Sequence, residues 1–252
     1  MDAPTVLKKL LFNITFYPLF IALTVGMFAV LLVPMAILRV LAGERATRRL
    51  LRWIIRGYGL MVVRGLTFPF VKIECQKLGS VENGRACVYV CNHRAASDAF
   101  LMALLDCELV QVVNNWPFRI PIFGWVAERA GYLSIKAMPF EDFLSQALGL
   151  LKQGVSLVAF PEGSRSTDRV MRQFNGAVFR VAQAARVPVV PVCISGNERI
   201  PEKSSNIFNP GTIRVHQLPA LEWESFKDVS PFKFKNQVRE MMQAEFERIQ
   251  AL

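Results

Sequence analysis

From Leu10 to Leu38 the chain runs 29 residues without a formally charged side chain. As one straight helix this run is about 43 Å long, against roughly 30 Å of bilayer hydrocarbon, so it is long enough to span when tilted. Pro18 and Pro34 are the places where it is expected to kink or break. The run is far longer than the apolar stretch of a secretory signal, which fits poorly. The next segment, ERATRRLLRWIIRGYGLMVV, carries Arg48, Arg52 and Arg56 on one helical face and Leu51, Trp53, Ile54, Ile55 and Tyr58 on the apolar side. That pattern suits a helix lying in the headgroup layer, the alternative being a solvated charged face on a packed helix.

After Leu66 the pattern changes to short apolar runs alternating with helical ones. Thr67–Cys75, Ala86–Cys91, Leu109–Val113, Tyr132–Ile135, Ser156–Phe160, Val189–Ile194 and Thr212–Val215 read as strands. Ala99–Asp106, Ile122–Arg129, Phe140–Gln153, Ala177–Ala185 and Phe234–Ile249 read as helices, the last an amphipathic packing helix. The alternation predicts an α/β fold: a largely parallel or mixed sheet flanked by helices, preceded by an N-terminal membrane-associated helical segment. The expected division is residues 1–65 for the membrane segment and 66–252 for the α/β domain, with 201–211 the clearest irregular loop.

Charge sharpens this picture. The net charge is +10, and residues 1–66 hold nine Lys/Arg against Asp2 and Glu44, which is +7 of it. A basic excess gathered around the most apolar segment favours a membrane surface and points away from nucleic acid. Positive charge is heavier on the C-terminal side of the apolar run, which puts the following domain in the cytoplasm, at the inner membrane of the cell. The five cysteines are odd in number, sit mostly in apolar runs and show no metal-ligand spacing; they read as small buried hydrophobes in a reducing compartment. No metal and no cofactor is expected.

Two polar stretches carry candidate chemistry. In CVYVCNHRAASDAF, residues 87–100, an apolar run stops at Asn92-His93, and Asp98 follows five positions after the histidine. Catalytic groups of α/β sheets gather beyond the carboxyl ends of strands. A turn there can return the Asp98 carboxylate to the His93 ring, fixing its tautomer and leaving the other nitrogen to remove a proton. The plainer alternative is a turn histidine followed by an N-terminal helix cap. In VAFPEGSRS, residues 158–166, a second apolar run ends at Pro161. Gly163 permits a tight turn, Arg165 offers a planar fork for phosphate, and Glu162 can hold that arginine or a substrate hydroxyl. A surface turn with an ion pair is the alternative. His216, in a late strand, reads as structural or exposed.

Taken together, Asn92-His93-x4-Asp98 and Phe160-Pro161-Glu162-Gly163-Ser164-Arg165-Ser166 resemble the glycerolipid acyltransferase family, in particular bacterial 1-acylglycerol-3-phosphate acyltransferases. WPFRIPIFGW at 116–125, with Gly131 and Ile135, resembles the second block of that family, and VPVVPVCISG at 187–196 its fourth. The resemblance implies transfer of a fatty acyl group from acyl-CoA or acyl-carrier protein to a lysophospholipid hydroxyl at a membrane. His93 would be the general base and Asp98 its orienting partner. Glu162, Gly163, Ser164, Arg165 and Lys136 would bind the acceptor, with Arg165 and the Gly163 backbone on its phosphate. The first acceptor implied is 1-acylglycerol-3-phosphate, giving phosphatidic acid. Two positions depart from the family pattern: Ala137 stands where an arginine is usual, with Lys136 one place earlier, and Asn175 stands where a lysine is common. A different lysolipid or hydroxy-acyl acceptor, or a thioester hydrolase using the same pair, are the competing readings.

Overall fold

All seven apolar runs after Leu66 become strands of a single sheet. The computed structural model describes residues 3–79, 81, 84–166, 170–202 and 205–251. Asp2 and residues 203 and 204 of the expected loop lie outside the described residues. The strands are β1 (Val71–Lys77), β2 (Val88–Cys91), β3 (Leu109–Val113), β4 (Leu133–Ser134), β5 (Ser156–Ala159), β6 (Val189–Ser195) and β7 (Gly211–Gln217). Their order across the sheet is β1-β7-β6-β2-β5-β3-β4. Every neighbouring pair is parallel except β6 and β7, so the sheet is mixed. Every residue of β2, β5 and β6 is buried, the signature of parallel strands covered on both faces. The order reverses at β2, with β5 on one side and β6 on the other. The crevice beyond its carboxyl end is therefore where a ligand is expected.

Helices α4 (Phe140–Lys152), α5 (Ala177–Ala185) and α7 (Pro231–Gln250) cover one face, joined by the short α6 (Trp223–Phe226). Their buried side chains, Phe143, Phe179, Phe234 and Phe246 among them, form one core with Val88, Val90 and Leu157 of the sheet. Helix α7 begins three residues before the expected start because Ser230 caps it and Pro231 occupies its first turn.

The opposite face is covered by α1 (Ala3–Leu60), α2 (Asp98–Leu101) and α3 (Phe123–Ala130). The first helix is two limbs. Neither Pro18 nor Pro34 breaks it; the break falls at Gly43, whose φ of 79° and ψ of 177° suit a glycine. The limbs fold back on each other: Thr24 Oγ1 lies 2.6 Å from Tyr58 Oη, and Met35 packs with Leu51. The hairpin also lies along the sheet layer. Phe12 is fully buried, stacked on Phe70 at 4.9 Å. Asn13 exchanges two hydrogen bonds with the Phe208 backbone, of 2.8 and 2.9 Å.

The arginine face of the second limb corrects the expectation of a headgroup-facing surface. Arg48, Arg52 and Arg56 share a side, but Arg52 is buried and donates to Ala130 O at 2.7 Å and to Glu108 at 2.9 Å. Arg56 donates to Leu105 O at 2.9 Å and pairs with Asp106. These guanidinium groups hold the hairpin to the α/β layer. The exposed large apolar side chains lie on the first limb instead, Ile14, Ile21, Val25, Val30, Val33 and Val40 among them. Among the described residues, one helix, at the N-terminus, is long and apolar enough to cross a membrane.

Candidate active site

Polar residues first appear in β2's path at its carboxyl end. Asn92 is fully buried and continues the ladder with its side chain, donating to Ile194 O at 2.9 Å and accepting from Ile194 N at 2.7 Å. That pairing fixes where the chain leaves the sheet. His93 follows, its ring against Phe160 with centroids 4.9 Å apart. Its Nδ1 lies 2.9 Å from Asp98 Oδ2. The same oxygen accepts from the amides of Arg94 at 2.6 Å and Ala95 at 2.8 Å. Asp98 is fully buried at the start of α2, so the turn wraps its carboxylate in donors. Since a carboxylate only accepts, Nδ1 carries the proton and Nε2 the lone pair.

The loop after β5 is tied to this turn. Ser166 N donates to His93 O at 2.8 Å. Glu162 Oε1 accepts from His93 N at 2.8 Å and Oε2 from Arg172 N at 3.0 Å. Burial pushes the Glu162 carboxyl pKa up, opposed by those two amides. Glu162, expected to position the acceptor, is a strut between two loops and does not line the cavity described next. Gly163 holds a φ of 69°, and its carbonyl accepts from Asn114 Nδ2 at 3.1 Å. Ser164 Oγ accepts from Arg172 Nη1 at 2.6 Å.

A cavity of about 900 Å³ opens over these loops. Its wall includes His93, Gly163, Ser164, Arg165, Lys136 and Asn175. Asp98 stands behind His93, off the wall. Arg165 and Lys136 are exposed and make no hydrogen bond or ion pair among the described residues. Beyond its polar end the cavity is apolar, running between α1 and α3 past Phe20, Met27, Leu31, Met35, Phe123 and Val126. From Phe16 to Met35, both on the wall, the helix rises about 28 Å.

Lys136 reaches the cavity because β4 ends at Ser134 and the chain then turns, Ala137 N donating to Ser134 O at 3.3 Å. The alternation of strand side chains therefore stops before Lys136. Asn175 Oδ1 accepts from Ala177 N, the first amide of α5, at 2.8 Å. His216 lies off the cavity, buried on β7 and 2.6 Å from Glu245. Among the described residues, no group of three or more His, Cys, Asp or Glu side chains is gathered to hold a metal ion. Sequence reasoning passed over Asn197, a buried polar side chain just beyond the end of β6, and Asn114, just beyond β3. Asn197 stands two residues past its strand, as His93 does, and Asn114 one past its own, as Asn92 does, which is the signal that finds them.

An acyltransferase family model matches residues 72–195. A 1-acyl-sn-glycerol-3-phosphate acyltransferase of Salmonella typhimurium is 31% identical over 176 residues, 68% of each chain. A chloroplastic protein of that name from Brassica napus is 33% identical over 153 residues, 59% of this chain and 44% of its own. The chain thus spans less than half the length of the plant relative. Among solved structures, the 1-acyl-sn-glycerophosphate acyltransferase of Thermotoga maritima superposes with a TM-score of 0.80 over 98% of both chains at 21% identity, a likeness of fold.

Proposed function

The chain belongs to the acyltransferase family, and we propose that it moves a fatty acyl group from acyl-CoA or acyl-carrier protein to the sn-2 hydroxyl of 1-acylglycerol-3-phosphate, giving phosphatidic acid for phospholipid synthesis. One observation carries the reading. The free edge of the His93 ring, oriented by Asp98, opens onto the same cavity as two exposed cations, Arg165 and Lys136.

His93 Nε2 takes the proton of the acceptor hydroxyl as its oxygen attacks the thioester carbonyl. The tetrahedral adduct collapses, the carbon–sulfur bond breaks, and the leaving thiolate takes the proton back from the imidazolium. The products are an ester and a free thiol. Asp98 stabilises the imidazolium in between. Arg165 supplies a fork for the acceptor phosphate and Lys136 a point charge. The apolar length of the cavity takes acyl chain.

The hairpin supports a membrane role of a particular kind. A helix crossing the bilayer does not lie along a water-facing domain, yet α1 is buried against the α/β layer at Phe12 and at Phe16, and against the second limb at Met35. We read residues 1–65 as a hairpin that enters one leaflet through its outward apolar face, with the 66–252 domain on the cytoplasmic side of the inner membrane. Leu32, on the cavity wall and 40% exposed, lies where such a leaflet would meet the cavity. A lysolipid then reaches His93 without leaving the membrane.

A panel of lysolipids offered with one labelled acyl thioester, read by mass spectrometry, tests the acceptor. Preferred acylation of lysophosphatidate is expected. Preference for a lysolipid lacking a terminal phosphate overturns the assignment.

A further inference from the structure

The two oxygens of the buried Asp98 carboxylate are used unequally. Oδ2 takes the His93 ring and the amides of Arg94 and Ala95. Oδ1 takes one donor among the described residues, the side-chain amide of Asn197 at 2.5 Å, from 99 positions away in the chain.

The fold is built to deliver that amide. Asn197 is 1% exposed and follows β6 directly through Gly196. Gly196 has a φ of 88°, and a Cβ there would meet Thr212 O at 2.1 Å, so only glycine lets β6 leave the sheet this tightly against β7. Ile200 N closes the turn onto Asn197 O at 3.0 Å. Asn197 Oδ1 is engaged too, accepting from Ser97 Oγ at 3.2 Å. The partners fix the amide's orientation: the carboxylate only accepts, so it faces Nδ2, and the serine hydroxyl is left to donate to Oδ1. An aspartate has the same shape but sets two carboxylates side by side in a buried place.

We infer that Asn197 is a positioning residue of the His93–Asp98 pair, holding Oδ1 so that Oδ2 stays aimed at the imidazole. Without this donor a buried anionic oxygen is left bare, which is costly. The carboxylate relieves that cost by rotating toward its backbone donors, which draws Oδ2 off the ring. The inference rests on the reading of His93 as general base.

The chain has two histidines, His93 and His216, so histidine-selective ¹⁵N labelling gives one reporter and one internal reference. His216 is held by Glu245 at 2.6 Å and is remote from Asn197 in its contacts. In the full chain in detergent or bilayer discs, Asn197→Asp and Asn197→Ala are expected to move the His93 nitrogen resonances and leave those of His216 in place. Both are expected to lower kcat about ten- to a hundredfold, as loss of an outer orienting partner does elsewhere, with KM for donor and acceptor within about twofold. Asn197→Ala added to Asp98→Ala is expected to cost less than about twofold more. Unmoved His93 resonances with full kcat in Asn197→Asp overturn the inference. So do resonances of both histidines moving together, or losses from the two alanine variants that multiply. The spectrum needs no turnover. Full rate in His93→Ala would remove the general-base reading, and the link between Asn197 and the His93 ring would still be measured separately.

Discussion

Arg52 and Glu108 join the helical hairpin to the sheet layer, Nη1 to Oε1 at 2.9 Å, with the two side chains only 5% and 15% exposed. Removing one partner of such a pair leaves a buried charge behind. Arg52→Ala is expected to destabilise the protein by about 3–5 kcal/mol. Arg49, 73% exposed and 3.5 Å from the same glutamate, is screened, and Arg49→Ala is expected to cost less than about 1 kcal/mol. Chemical unfolding of the two variants in detergent compares them; equal losses contradict the assignment of Arg52 as the clamp.

The dyad makes a kinetic prediction. His93→Ala is expected to lower kcat by about 10²–10⁴. Asp98→Asn keeps the volume but replaces one accepting oxygen by a donor, and a loss of similar order is expected with KM little changed. Steady-state rates with the thioester donor measure both, and an Asp98→Asn rate equal to wild type contradicts the orienting role.

Arg165 and Lys136 are expected to act on the acceptor alone. A hydrogen bond to a charged group contributes about 1.5–3 kcal/mol. Arg165→Ala and Lys136→Ala should each reduce kcat/KM for lysophosphatidate by roughly ten- to a hundredfold, leaving KM for the donor unchanged. Arg165→Lys should recover part of the loss, since an ammonium lacks the planar fork. Equal effects on donor and acceptor would remove the phosphate assignment.

The strands were legible in the sequence for physical reasons. Parallel strands buried on both faces read as unbroken apolar runs, so Leu109–Val113 was bounded to the residue and β2, β5 and β6 to within two. His93 and Arg165 announced themselves as polar breaks after such runs. Asn197 did not, because its importance lies in a contact made 99 positions away. Glu162 looked like a substrate ligand because a loop carboxylate reads the same whether it meets solvent or, as here, two backbone amides. The arginines of the second limb show the same limit. Periodicity told that Arg48, Arg52 and Arg56 share a face, and only packing told that the face turns inward.

The hairpin separates binding from stability. Ile21→Glu with Val25→Glu, on the exposed face, should weaken sedimentation with vesicles while the protein stays folded. Phe16→Ala, at a buried site, should destabilise by about 3–5 kcal/mol. Deleting residues 1–40 should do both, because it removes the membrane face and one wall of the cavity together. Undiminished vesicle binding by the double glutamate variant contradicts the leaflet reading.

Glu162 gives a pH signature. Its carboxyl pKa is raised in the fold by burial, so the folded state holds the proton more tightly than the unfolded chain. Its stabilising contribution is therefore full below the ordinary carboxylate value of 4.5 and is lost as pH rises through the raised value. The difference in melting temperature between wild type and Glu162→Gln should change across that window in favour of the variant as pH rises. A difference that is flat with pH contradicts the burial assignment.

The most direct measurement follows thiol release from an acyl thioester by the purified chain in bilayers, with and without lysophosphatidate. Release that needs the acceptor, matches phosphatidate formed mole for mole and disappears in His93→Ala is the expected result. Release that proceeds equally without acceptor, or survives intact in His93→Ala, contradicts acyl transfer by an imidazole base.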